Sequence, residues 1–156
     1  MVRLVKKALV GWQEWCGLSE LHIPYIKAKI DTGAKTSALH AFNINEVMHQ
    51  GQKWVEFDIH PLQANNKIAQ KCQAKVIDER EVISSTGHRE HRYVITTLLT
   101  LGFLSYPIEL TLSNRDPMKF RMLLGREALH NKFLVDPAHK LLLGRYSKKD
   151  IMRAYK

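Results

Sequence analysis

Tyr25-Ile26-Lys27-Ala28-Lys29-Ile30-Asp31-Thr32-Gly33-Ala34 is the stretch on which the reading of this chain turns. Ile26, Ala28 and Ile30 alternate with Lys27 and Lys29, the period of a strand with one buried face. Asp31-Thr32-Gly33 then breaks the alternation with turn-forming residues. A carboxylate at a strand end meets an incoming molecule and stays within reach of backbone donors, as an acid–base group requires. Thr32 offers a hydroxyl that can bond across an interface. Gly33 permits a backbone conformation and a close approach that a side chain would block. As a bare tripeptide the motif is more often an ordinary turn. It occurs once in 156 residues, so chemistry that needs two such carboxylates needs two chains.

Length and a 45% hydrophobic content suit one domain, residues 1–156, with a real core. The 24 Lys and Arg outnumber the 15 Asp and Glu, for a formal net charge of +9. That surface attracts anions: nucleic acid, a ribosome, an anionic membrane face or an acidic polypeptide. Cys16 and Cys72 stand alone, without a CxxC pair, which suggests neither a zinc knuckle nor a disulfide framework. Arg3, Lys6 and Lys7 precede no long apolar run, and no stretch approaches the roughly 20 residues of a membrane span. The expected location is cytoplasmic.

Period-two patterning dominates the middle of the chain. It is visible in Trp54-Val55-Glu56-Phe57-Asp58-Ile59, Ala74-Lys75-Val76-Ile77, Tyr93-Val94-Ile95-Thr96-Thr97-Leu98-Leu99 and Pro107-Ile108-Glu109-Leu110-Thr111-Leu112. Such β-branched and aromatic runs bounded by Gly, Pro, Asn and Asp predict short antiparallel strands. Residues 61–67, with Asn65-Asn66, read as a turn. Residues 78–92 are highly charged around Ser84-Ser85-Thr86-Gly87-His88 and predict a hairpin tip with solvated arms. Short helices are expected at 125–130, stopped by Asn131, and from Lys148 to about Tyr155, capped by Ser147. The architecture expected is mainly β: a small closed barrel with one or two short helices.

A second signal bears on the aspartate loop. Met122-Leu123-Leu124-Gly125-Arg126 is an apolar strand ending in Gly and opening a helix. Together with the earlier Asp-Thr-Gly-Ala it resembles the retropepsin-like aspartic proteases. Longer segments narrow the resemblance: Val10-Gly11-Trp12-Gln13-Glu14-Trp15, Lys27 through Ala41, Ser85-Thr86-Gly87-His88, Ser113-Asn114-Arg115-Asp116 and Phe133-Leu134-Val135-Asp136-Pro137. The chain is similar, over about residues 9–143, to a bacterial family historically labelled "ATP-dependent zinc protease" and now viewed as retropepsin-like aspartic endopeptidases. Some members are encoded beside glutamate ligases that extend a ribosomal protein with glutamates.

The resemblance implies an aspartic-type peptidase working as a homodimer, with Asp31 from each protomer as the catalytic dyad. Two like charges that close share a proton. The ionised member takes a proton from the attacking water while the protonated one stabilises the oxyanion. Thr32, Gly33 and Ala34 shape the loop, and Gly125 and Arg126 support it from behind. The hairpin around Ser84, Ser85, Thr86, Gly87 and His88 is the candidate flap. Lys35 follows the motif where viral relatives carry an acid. A cation there would lower the carboxylate pKa values, or it would hold a substrate carboxylate. With Arg80, His88, Arg89, His91 and Arg92 on the hairpin, the expected substrate is a peptide or protein, acidic and glutamate-rich. The same charges suit a solvated face equally well.

Zinc finds little support. His88-Arg89-Glu90-His91 has histidines three apart, which point to opposite faces of a strand. The other histidines are scattered, and no phosphate-binding Gly-rich loop is present, so neither a metal nor a cofactor is expected. A zinc hydrolase is the weakest alternative. Stronger is a catalytically silent barrel that binds RNA or ribosome through its charge, with the basic tail 145–156 as its best sequence support. If a single chain were to hold both acids, Asp116 or Asp136 would have to be the second. Each precedes a proline and reads as a turn.

Overall fold

The computed structural model describes residues 6–63, 65–83, 86–115 and 119–156. Eleven strands and two α-helices lie among them: β1 (Ala8–Val10), β2 (Gln13–Leu18), β3 (Ile23–Ile30), β4 (Ser37–His40), β5 (Phe42–His49), β6 (Gln52–Ile59), β7 (Gln70–Ile83), β8 (Arg89–Leu101), β9 (Leu104–Ser113), β10 (Met122–Leu124), α1 (Arg126–Leu129), β11 (Phe133–Val135) and α2 (Lys148–Ala154). The predicted strand runs fall inside β6, β7, β8 and β9. Both predicted helices are present, α1 shorter than expected.

Six strands close on themselves. The order β2-β3-β10-β4-β9-β8 returns to β2 through the pairing of Gly17 with Thr100. Closure removes the free edges that an open sheet would carry. Its interior holds the inward faces of the alternating runs, with Leu18, Ile26, Leu39, Leu99, Leu110, Leu112 and Leu124 all fully buried. Strands β7, β6 and β5 continue the sheet beyond the barrel, so β7 and β8 form one long hairpin and β5 is an outer edge.

Two parallel pairings position the site. β10 runs parallel to β3, with Leu124 opposite Ile30, and antiparallel to β4. β4 in turn runs parallel to β9. The end of the aspartate strand and the end of the Met122–Leu124 strand therefore lie side by side.

The chain ends are fastened to the same barrel. Glu14 is fully buried, and its carboxylate accepts the backbone N–H groups of Gly11 at 2.7 Å and of Leu142 and Leu143 at 3.0 Å. A carboxylate away from water is tolerated when donors satisfy it in this way. Ser147 caps α2 by accepting the Asp150 N–H at 3.1 Å. At the other end of the helix the Tyr155 hydroxyl bonds both the N–H and the C=O of Tyr25. Among the described residues, no helix is long and apolar enough to cross a membrane.

Candidate active site

Asp31 leaves β3 with its N–H donated to the Leu124 carbonyl at 2.9 Å. The loop then turns back on itself: the Gly33 N–H donates to Asp31 Oδ1 at 2.9 Å, and the Ala34 N–H to the Asp31 carbonyl at 3.3 Å. One carboxylate oxygen is thus fixed by a backbone donor while the side chain stays half-exposed. Gly33 earns its place through closeness alone. A Cβ there would sit 3.2 Å from Asp31 Oδ1, and its backbone is not in the left-handed region where only glycine is at ease. The expectation that Gly33 also supplies an unusual backbone conformation is corrected accordingly.

The second apolar turn supports the loop from behind. The Arg126 N–H donates to the Ala34 carbonyl at 2.8 Å, and the Glu127 N–H to the Lys35 carbonyl at 3.2 Å. The Arg126 guanidinium reaches the carbonyls of Thr32 at 3.3 Å and Gly33 at 3.2 Å. Gly125 is pressed against the loop: a Cβ would lie 2.6 Å from the Thr36 carbonyl oxygen and 2.9 Å from that of Ala34. No side chain fits. Residues 31–35 and 125–127 are therefore one hydrogen-bonded unit, with Thr32 exposed at its tip.

Ser37 belongs to the unit and was not singled out in the sequence. It is buried, and its Oγ accepts the Gly125 N–H at 3.0 Å. A small hydroxyl residue four positions after the glycine was the available signal. Lys35 makes its ion pair with Glu127 at 3.9 Å, not with Asp31.

The hairpin of β7 and β8 is present as expected, with its tip between Ile83 and Arg89; Ser84 and Ser85 lie outside the described residues. Four of its basic side chains meet carboxylates. Arg80 pairs with Asp78 at 3.1 Å and Glu109 at 3.4 Å, Arg89 with Glu81 at 3.7 Å, His91 with Glu79 at 2.9 Å and Arg92 with Glu90 at 3.1 Å. Gly87 takes a left-handed conformation in the turn, beside Thr86 and His88. Glu90 fastens the arm of the hairpin to the end of β9, accepting from Ser113 Oγ at 2.8 Å and the Asn114 N–H at 3.1 Å. Burial pushes its pKa up, but Ser113, Arg92 and Asn114 together hold it below the ordinary value. Glu79 is likewise held low, first by its hydrogen bond from Lys53 and then by His91.

Of the two other acids considered, Asp116 lies outside the described residues. Asp136 is occupied in a turn, accepting the Ala138 N–H at 3.0 Å and bonding His139 Nδ1 at 2.8 Å. Concavities of about 960 and 870 Å³ are lined elsewhere, and neither includes Asp31.

Residues 9–145 match the family model described as "RimB-like: Retropepsin-like aspartic endopeptidase RimB". The chain belongs to that family. Its relatives include proteins named "Probable alpha-L-glutamate ligase" in Shewanella halifaxensis, 46% identical over 149 residues and 96% of this chain. Those of Desulfotalea psychrophila, 48% identical over 97% of the chain, and Parasynechococcus marenigrum, 47% over 90%, carry the same name. The chain spans about a third of the length of these curated relatives, 32%, 32% and 30% respectively. A crystal structure of a Legionella pneumophila protein of unknown function superposes with a TM-score of 0.72 at 27% identity, covering 88% of this chain and 99% of that one. The RimB-like assignment agrees with the closed β-barrel.

Proposed function

We propose that this chain is an aspartic endopeptidase whose dyad is assembled from Asp31 of two protomers and whose substrates are glutamate-rich chains. The observation that carries the reading is the half-exposed Asp31 carboxylate, fixed by Gly33 and braced by Arg126, in a chain with one copy of the motif. Paired across a two-fold axis, two such carboxylates share a proton, because both cannot ionise cheaply at close range. The ionised one removes a proton from water as it attacks the peptide carbonyl, and the protonated one donates to the oxyanion. The hairpin of β7 and β8 serves as the flap that excludes bulk water.

The substrate class is supported by the relatives. Their remaining two-thirds accompany a name that denotes joining α-L-glutamate to an acceptor, and a peptidase carried in the same polypeptide would break the same kind of bond. Lys35 suits this. Its pair with Glu127 is long and both side chains are well exposed, at 72% and 53%, so the pair contributes little and a substrate carboxylate can displace Glu127. The test is to incubate the protein with an α-linked oligoglutamate and with neutral peptides of equal length. The expected result is cleavage of the oligoglutamate by the wild type and none by Asp31→Asn. Cleavage by both proteins, or by neither, refutes the proposal.

A further inference from the structure

Away from Asp31, a groove of about 870 Å³ lies on the outer face of β2 and β3. Trp15 and Lys27 line it from the two strands, Lys67 from the loop after β6, and Tyr146, Lys148 and Met152 from the C-terminal segment and α2. Its chemistry is unlike that of the hairpin. None of its described lining residues is acidic, whereas Arg80, Arg89, His91 and Arg92 on the hairpin arms each meet a carboxylate. The groove of about 960 Å³ beside β6 and β7 makes the same contrast, since Glu20, Glu56 and Asp58 line it.

Among the described residues, no carboxylate pairs with Lys27, Lys67 or Lys148. Lys27 is held below its ordinary pKa by burial first and then by the charges of Lys140 and Lys119. Its ammonium sits 4.9 Å from the centre of the Trp15 ring. Trp15 meets Tyr25 edge-on at 6.1 Å, and Tyr25 packs against Tyr146 at 4.9 Å, leaving Tyr146 44% exposed at the groove. Lysines without acidic partners call for a polyanion. The aromatic rings and the Leu62, Ile151 and Met152 side chains call for something flat and apolar between the charges. A nucleobase joined to phosphate has both properties, and a glutamate chain has only the first.

We infer that this groove is a binding site for a short single-stranded RNA segment, its bases on Tyr146 and Trp15 and its phosphates on Lys27, Lys67 and Lys148. Aromatic stacking of this kind tolerates any base, so the site reads the strand without choosing a sequence. It makes no use of Asp31 and stands whether or not the chain is a peptidase.

Fluorescence anisotropy with a labelled hexauridylate, titrated with the whole protein, tests it. Single-strand binding loses a slope of about 0.7 per phosphate neutralised, so three lysines give a slope of about −2 and a roughly 20-fold loss between ~50 and ~200 mM salt. Tyr146→Ala is expected to weaken binding about tenfold with the slope unchanged. Lys148→Ala, at an exposed position, is expected to lower the slope by about 0.7. No binding, or binding indifferent to both substitutions, overturns the inference. Equally tight binding of a hexaglutamate would instead assign the groove to acidic peptides, and equally tight binding of uridine monophosphate would assign it to a free nucleotide. Either result also overturns it.

Discussion

Asp31 and Gly125 carry the site for different reasons, and their substitutions should separate. Asp31 is half-exposed, and an asparagine oxygen can still accept the Gly33 N–H that Asp31 Oδ1 accepts at 2.9 Å. Asp31→Asn is therefore expected to leave stability within about 0.5 kcal/mol while removing acid–base chemistry worth at least ~10³-fold in kcat. Thermal melts and a peptide-cleavage assay on the same preparation check this. Gly125→Ala does the opposite. Its Cβ would lie 2.6 Å from the Thr36 carbonyl, a backbone atom that cannot swing aside. We expect a loss of about 2–3 kcal/mol, seen as a fall in Tm of several degrees, with cleavage lowered because residues 31–35 are displaced. At this scale the sequence was informative about Asp31, Gly125 and Arg126, because each has a side chain or lacks one for a local reason. It did not show what Ser37 and Glu14 bind, because their partners include backbone groups of residues 88 and 128 positions away.

Among the elements, the strands with one face in the barrel were legible, since burial writes period two into the chain. β5 was not. It is an outer edge, mostly exposed, with no fully buried residue to enforce alternation and with a register irregularity between Phe42 and Asn45. The short strands β1, β4, β10 and β11 owe their existence to partners distant in sequence, and only β10 was read as a strand. The hairpin of β7 and β8 yields a prediction of its own. Glu90 joins it to the end of β9, and its folded pKa lies below the ordinary 4.5. A carboxylate depressed on folding stabilises the native state above its unfolded pKa, and that contribution fades as pH falls through the folded value. The Tm advantage of wild type over Glu90→Gln should therefore be constant above about pH 5 and shrink steadily below 4.5. An advantage that grew on acidification would mean that the anchor is not an ionised carboxylate.

Taken whole, the molecule sets a half-exposed Asp31 at the end of β3, on a closed six-stranded barrel. Closure itself was expected, but the extension through β7, β6 and β5 was not, because the sequence shows strands and not which of them share an edge. The count of carboxylates remains the strongest whole-molecule constraint. Asp136, the other acid considered that is described, is occupied by Ala138 and His139 in a turn. Under the proposed dyad an active unit is two copies of this chain, and sedimentation at micromolar concentration should find a dimer. The most direct measurement mixes wild type with an equal amount of Asp31→Asn at constant total protein, allows the subunits to exchange, and follows oligoglutamate cleavage. Random pairing leaves about a quarter of the dimers with two carboxylates, so activity should fall to about one quarter of that of the wild type alone. A value of about one half would show that each chain acts by itself, contradicting a dyad shared between protomers.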